Sequence, residues 1–156
     1  MARSDYVIAR QLYGQALPLY EGVGDVRGEA NCIKGLGDIA LASSEHEGAR
    51  QRYEQALPLY RQVGDVLGEA NCIKSLGDIA LAEGDESGAA DERFREALAL
   101  YRRIEEPYSI GWSLVELARL AGASERGPLV AEARAAWVSI DRPDLVTILE
   151  REFGTE

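Results

Sequence analysis

Histidine occurs once in these 156 residues, at His46, and that scarcity excludes a histidine-based triad or a multi-histidine metal centre. Two cysteines, Cys32 and Cys72, do not make a disulfide scaffold. Positive charge is also short. Seventeen Lys and Arg face 27 Asp and Glu, a net charge of -10, so the long-range field repels a nucleic-acid backbone or an anionic membrane surface. No stretch approaches the roughly 18 consecutive apolar residues of a spanning helix, and the first ten residues contain no apolar leader segment. A glycine-rich phosphate loop is missing too: Gly22, Gly24 and Gly28 lie in an inter-helix turn with no strand before it. Nothing alternates with period two, as strands do. What is left, 46% hydrophobic and 28% charged, can bury a core and is expected to be a soluble, cytoplasmic protein.

What is present is repetition. Residues 9–48 and 49–88 align without a gap, with 29 identities in 40 positions. A diverged third copy begins at Ala90, after the additional Ala89. Self-similarity at this period means a stacked array, and the apolar spacing makes it helical. One helix is predicted over about 26–42, where Ala30, Ile33, Leu36, Gly37 and Ala40 recur every three or four residues. A second is predicted over about 45–63, with Ala49, Tyr53, Ala56, Leu57 and Tyr60 on its stripe. Ser44 followed by Glu47 reads as a capping box. Gly64-Asp65 reads as a left-handed helix end and then a new cap, with Gly24-Asp25 and Gly84-Asp85 repeating it. Pro18 and Pro58 fall inside second helices, where each removes one backbone donor and bends the helix.

Leu36-Gly37, Ala40, Ala49, Tyr53 and Ala56, repeated as Leu76-Gly77, Ala80, Ala89 or Ala90, Phe94 and Ala97, have the spacing of the tetratricopeptide repeat, and the chain resembles that family. A period of 40 instead of about 34 is similar to kinesin-light-chain-like repeats and to the arrays attached to signalling NTPases. The resemblance implies an all-α fold, a right-handed α-solenoid of antiparallel helix pairs. As one domain over 1–156 it divides into a half repeat (5–24), two repeats (25–64 and 65–105), a diverged repeat (106–140) and a capping helix (141–154). In that last helix Leu145, Ile148, Leu149 and Phe153 form the predicted covered stripe.

The resemblance also implies a protein–protein interaction scaffold with no catalysis and no cofactor, whose first helices line a concave face holding a peptide or a partner's helix. Asn31, Lys34, Asp38 and Leu41 fall on one such stripe, and Asn71, Lys74, Asp78 and Leu81 repeat it. The third copy offers Trp112, Val115 and Arg119. Lys34 and Lys74 are the chain's only lysines; Lys34–Asp38 and Lys74–Asp78 are equally readable as pairs that merely support the helix. Trp112 is either an exposed anchor or covered by the last helices. The carboxylate clamp that binds chaperone tails is disfavoured, because Gly35, Ser75 and Glu116 occupy places where that pattern wants asparagine and bases. The alternative to a binding groove is a structural, self-assembling segment of a longer regulatory array. It is suggested by the near-identity of the first two copies and by a run of apolar residues at the start. Tyr6, Val7 and Ile8 stand where the next copy has His46, Glu47 and Gly48, and with Leu12 and Tyr13 they mark a homodimer surface.

Overall fold

In the computed structural model, residues 3–84 and 87–154 are described, and they form eight helices. These are α1 (Arg3–Val23), α2 (Val26–Ala42), α3 (His46–Val63), α4 (Val66–Ala82), α5 (Ala89–Arg103), α6 (Pro107–Leu120), α7 (Ala123–Val138) and α8 (Pro143–Phe153). Among the described residues there is no strand. Each helix packs on the next in sequence, and α2 also touches α4, so the chain stacks helix pairs as an α-solenoid.

The joints between repeats follow from local chemistry. Gly24 and Gly64 adopt the left-handed backbone, φ 72° and 68°, that a side chain would strain. There the next amide turns back: Asp25 N–H donates to the Tyr20 carbonyl and Asp65 N–H to that of Tyr60. Each aspartate then caps the following helix, its carboxylate accepting from Gly28 N–H or Gly68 N–H at 2.9 Å. The third joint does the same work without glycine. Glu105 takes φ 52°, and Glu106 accepts from Ser109 N–H at 2.6 Å. The turn inside the repeat differs from expectation. Ser44 sits at φ 59° and the cap position falls on Glu45, which makes no side-chain capping bond, so no capping box forms. Gly84 is left-handed at φ 77°, while Asp85 lies outside the described residues. Pro18 and Pro58 are both accommodated within their helices.

The core runs along the stack in two linked groups. One gathers Ala30, Tyr53, Tyr60, Ile73, Leu76 and Tyr101 from α2 to α5. The other gathers Phe94, Leu98, Leu114, Leu117, Trp137 and Leu149 from α5 to α8. Each such large side chain contributes about 1.5–3 kcal/mol on burial. The helices approach closely because aromatic rings lie flat over glycines. A Cβ at Gly68 would meet the Tyr60 ring at 2.3 Å, one at Gly28 the Tyr20 ring at 2.2 Å, and one at Gly111 the Trp137 ring at 2.2 Å. At the far end α8 covers the stack with Leu145 and Leu149, helped by half-buried Val146 and Phe153. Ile148, expected on that stripe, faces outward instead, because Leu145 and Leu149 take the covered line four residues apart. The first helix has no such cover: Val7, Ile8, Leu12, Leu19 and Val23 are all exposed.

Candidate functional site

The first helices of successive repeats, α2 and α4, carry the same polar stripe, and the second helices hold it in place. Tyr60 of α3 donates its hydroxyl to Asn31 Oδ1 at 2.8 Å, and Tyr101 of α5 donates to Asn71 Oδ1 at 2.7 Å. Tyr53 likewise donates to Asp38 Oδ1 at 2.9 Å. All three rings are buried, and burial raises each phenol above its ordinary value, so they remain neutral donors. Each asparagine therefore has its carbonyl end engaged. Its two amide hydrogens make no side-chain bond of their own among the described residues, and they are the groups left to meet something outside.

Lys34 donates to Asp38 at 2.7 Å and Lys74 to Asp78 at 2.9 Å. These are i,i+4 pairs on half-exposed helix surface, worth a few tenths of a kcal/mol to the helix. The second copy replaces Tyr53 by Phe94, which has no hydroxyl to give Asp78. Lys74 instead lies 5.9 Å from the centre of the Phe94 ring. Leu41 is half-buried against the core, whereas its equivalent Leu81 is exposed.

The third copy departs from the stripe. Val115 occupies the lysine position but is only 2% exposed, packed with Leu114, Leu117 and Trp137. It is core, and this corrects its expected place on the interaction surface. The physical reason is cover, since an apolar residue in a lysine position marks a surface that the last helices close. Trp112 is half-buried, its ring edge-on to Trp137 with centroids 5.1 Å apart, and Trp137 donates its ring N–H to the Tyr108 carbonyl at 3.2 Å. Arg119 forks onto Glu152 of α8 at 2.6 and 2.8 Å while reaching Glu116 at 2.7 Å. Those carboxylates hold the guanidinium charged, and Arg119 in turn holds the Glu152 carboxyl below its usual value. It is tied to α8 more than offered to a partner. So the predicted stripe is brought together on α2 and α4 as a row of Asn, Lys and Asp, and it ends at α6.

Tyr6 is half-buried; Val7, Ile8, Leu12 and Tyr13 are exposed on α1. Cys32 and Cys72 are free, buried thiols, and desolvation pushes Cys72 up to about 12. Among the described residues no group of three His, Cys, Asp or Glu is placed to hold a metal ion, and no helix is long and apolar enough to cross a membrane. The tyrosine-to-asparagine bonds were not anticipated. Their signal was in the sequence: Tyr60 and Tyr101 follow Asn31 and Asn71 by 29 and 30 residues, so nearly the same spacing recurs in successive repeats.

No curated protein matches the chain at a significant level. The family model described as tetratricopeptide repeat matches residues 1–62, which hold α1, α2 and nearly all of α3. The gapless repetition carries the matched unit on to residue 88, and the helix pairs stack as that unit requires. Over residues 1–62 the chain is similar to the tetratricopeptide repeat family, and its stacked helices are consistent with that family's α-solenoid.

Proposed function

We propose that this chain is a protein–protein interaction scaffold that takes an extended peptide, or one face of a partner helix, along the concave side lined by α2 and α4. Repeats of this family generally mediate protein–protein interaction. The reading rests on one observation, the register of Asn31 and Asn71. Both amides are oriented by a tyrosine hydroxyl from the second helix of the same repeat, and both keep two N–H donors for an incoming acceptor. Donors spaced one repeat apart suit the carbonyls of an extended backbone, and orienting them in advance lowers the entropy lost on binding. Lys34 and Lys74 lie on the same row, each paired with its own aspartate, Asp38 or Asp78, so charged donors and acceptors stand beside the amides in equal number. Leu81 and the exposed edge of Trp112 supply apolar contact at the α6 end. Catalysis, a cofactor, nucleic acid and membrane form no part of this role. The cytoplasm suits it, since both thiols stay reduced there.

The test is capture of partners from the source cell with the intact chain and with an Asn31→Ala/Asn71→Ala/Lys34→Ala/Lys74→Ala variant, followed by affinity measurement on any peptide recovered. The variant should lose partners by tenfold or more while keeping its helical circular dichroism. Partners retained equally by both would end the concave-face reading. A second reading, a structural role in which the chain associates with itself, is supported by the apolar stripe exposed on α1.

A further inference from the structure

The exposed stripe of α1 consists of Ile8, Leu12, Leu19 and Val23, which are 56%, 59%, 70% and 79% exposed. At 100° per residue all four fall within one narrow line of the helix, about 22 Å long from end to end. In α3 the equivalent positions are Gly48, Arg52, Leu59 and Val63, and the first two face α2. A Cβ on Gly48 would lie 4.0 Å from that of Ala40, and the Arg52 Cβ would lie 3.1 Å from one on Gly37. The stripe is therefore the side on which a first helix of the internal kind would rest. Two of its residues are wrong for that neighbour. Gly48 leaves room for an alanine, which the third copy has as Ala89, but the branched Ile8 is too large for the same contact. Leu12 stands where both other copies have arginine, Arg52 and Arg93. The face has been rebuilt for something other than an internal-type repeat.

The spacing says what that is. The intervals are four, seven and four residues, so the stripe reads the same in both directions. A helix laid antiparallel across it, with the two-fold axis between Gln15 and Ala16, meets it with an identical stripe: Ile8 opposite Val23, and Leu12 opposite Leu19. Self-complementarity of this kind is the requirement of an isologous contact. Such a row of large apolar side chains is also at the upper end of what a monomer leaves in water, a few hundred Å². Head-to-tail stacking is the competing arrangement, with α8 of one copy on α1 of the next. The outward side of α8 presents Asp144, Thr147 and Arg151 around Ile148, with none of the small residues that receive an aromatic second helix elsewhere in the stack.

We infer that two copies of this chain associate through α1, antiparallel about a two-fold axis, with Ile8, Leu12, Leu19 and Val23 as the shared seam. The inference rests on the self-association reading and is independent of the concave face.

Sedimentation equilibrium of the intact chain should give twice 17.0 kDa at tens of micromolar. Leu12→Glu/Leu19→Glu should give the monomer, and the control Ile148→Glu should leave the dimer. The geometry is tested separately by disulfide trapping. Under mild oxidation Leu12→Cys/Leu19→Cys should form a covalent dimer. Leu12→Cys alone should do so at least tenfold more slowly, because its two copies would stand about 10 Å apart along the axis against the roughly 7 Å a disulfide spans. The buried native thiols should not contribute. A monomer at all concentrations would overturn both the seam and self-association. A dimer that survives the glutamates, or traps equally well through Leu12→Cys alone, would overturn the seam and leave self-association standing. Species that keep growing with concentration would indicate head-to-tail stacking and overturn it as well. Should the glutamate variant lose its helical circular dichroism, the trapping ratio alone decides.

Discussion

Replacing Gly68 by alanine isolates the contact that joins one repeat to the next. Position 68 is in the first turn of α4, and on an open helix the change would gain about 1 kcal/mol. Here the new Cβ would lie 2.3 Å from two carbons of the Tyr60 ring, well inside van der Waals contact. Tyr60 cannot swing aside, since it is 1% exposed and its hydroxyl is bound to Asn31. Overpacking of this kind costs about 1–3 kcal/mol, and a lost hydrogen bond adds about 1 kcal/mol. Subtracting the helical gain leaves a net destabilisation of about 1–3 kcal/mol. Gly48→Ala is the internal control: its Cβ would make an ordinary 4.0 Å contact with Ala40, so the same substitution should stabilise by up to about 1 kcal/mol. Thermal melts followed by circular dichroism should separate the two by several degrees, at roughly 2–4 °C per kcal/mol for a chain this size. In a Tyr60→Leu background, with the ring removed, Gly68→Ala should cost markedly less. Should Gly68→Ala melt at or above the parent, the ring-over-glycine contact does not limit packing and the reasoning fails.

Other outcomes follow from burial and charge. Leu76→Ala should cost about 2–5 kcal/mol in urea unfolding, and Leu36→Ala clearly less, because Leu36 is only half-buried; equal costs would contradict the packing described. Ser113 takes the place of Cys32 and Cys72, is fully buried, and has no hydrogen-bond partner for its hydroxyl, so Ser113→Cys or Ser113→Ala should stabilise by about 1 kcal/mol, whereas a loss would mean the hydroxyl is satisfied. Glu152 is held below its usual carboxylate value by Arg119, so its contribution is present above the unfolded value of 4.5 and lost as pH falls through the lower folded value. Docking of α8, followed by hydrogen exchange, should weaken in acid, and Glu152→Gln should remove that dependence. Cys72, pushed up to about 12 by burial, should label with a thiol reagent at pH 8 only as fast as the native stack opens; rapid labelling would place it at the surface.

Much of this architecture is readable from short-range chemistry. Val26–Ala42 starts where its apolar spacing and the preceding Gly24-Asp25 indicate, and His46–Val63 ends at Gly64 as expected, because caps and left-handed glycines act within four residues. Ser44 misled for the same reason in reverse. Its residue type suits a cap, but the turn needs a left-handed backbone there, and that need is set by how α2 and α3 pack. Val115 and Ile148 were misplaced because which side of α6 and α8 is covered depends on the neighbour's position along the stack, and helical spacing cannot supply that. The Asn–Lys–Asp row was visible as a stripe. That a tyrosine near the end of the second helix fixes an asparagine near the start of the first is a relation between distant parts of a repeat, and only the packed structure brings the two together.

The ring-over-glycine contact has a further consequence for how such a chain grows. Tyr20 with Gly28, and Tyr60 with Gly68, are eight residues apart, so both halves of the joint between repeats lie in one short continuous stretch. Copying 40 consecutive residues therefore copies a complete joint, whatever the frame in which the copy starts. The added unit arrives already fitted to the one before it, and its own ring is ready for the one after. Length in this array is then a quantity that can change in whole steps without any residue having to co-adapt, and each step adds another oriented asparagine to the row.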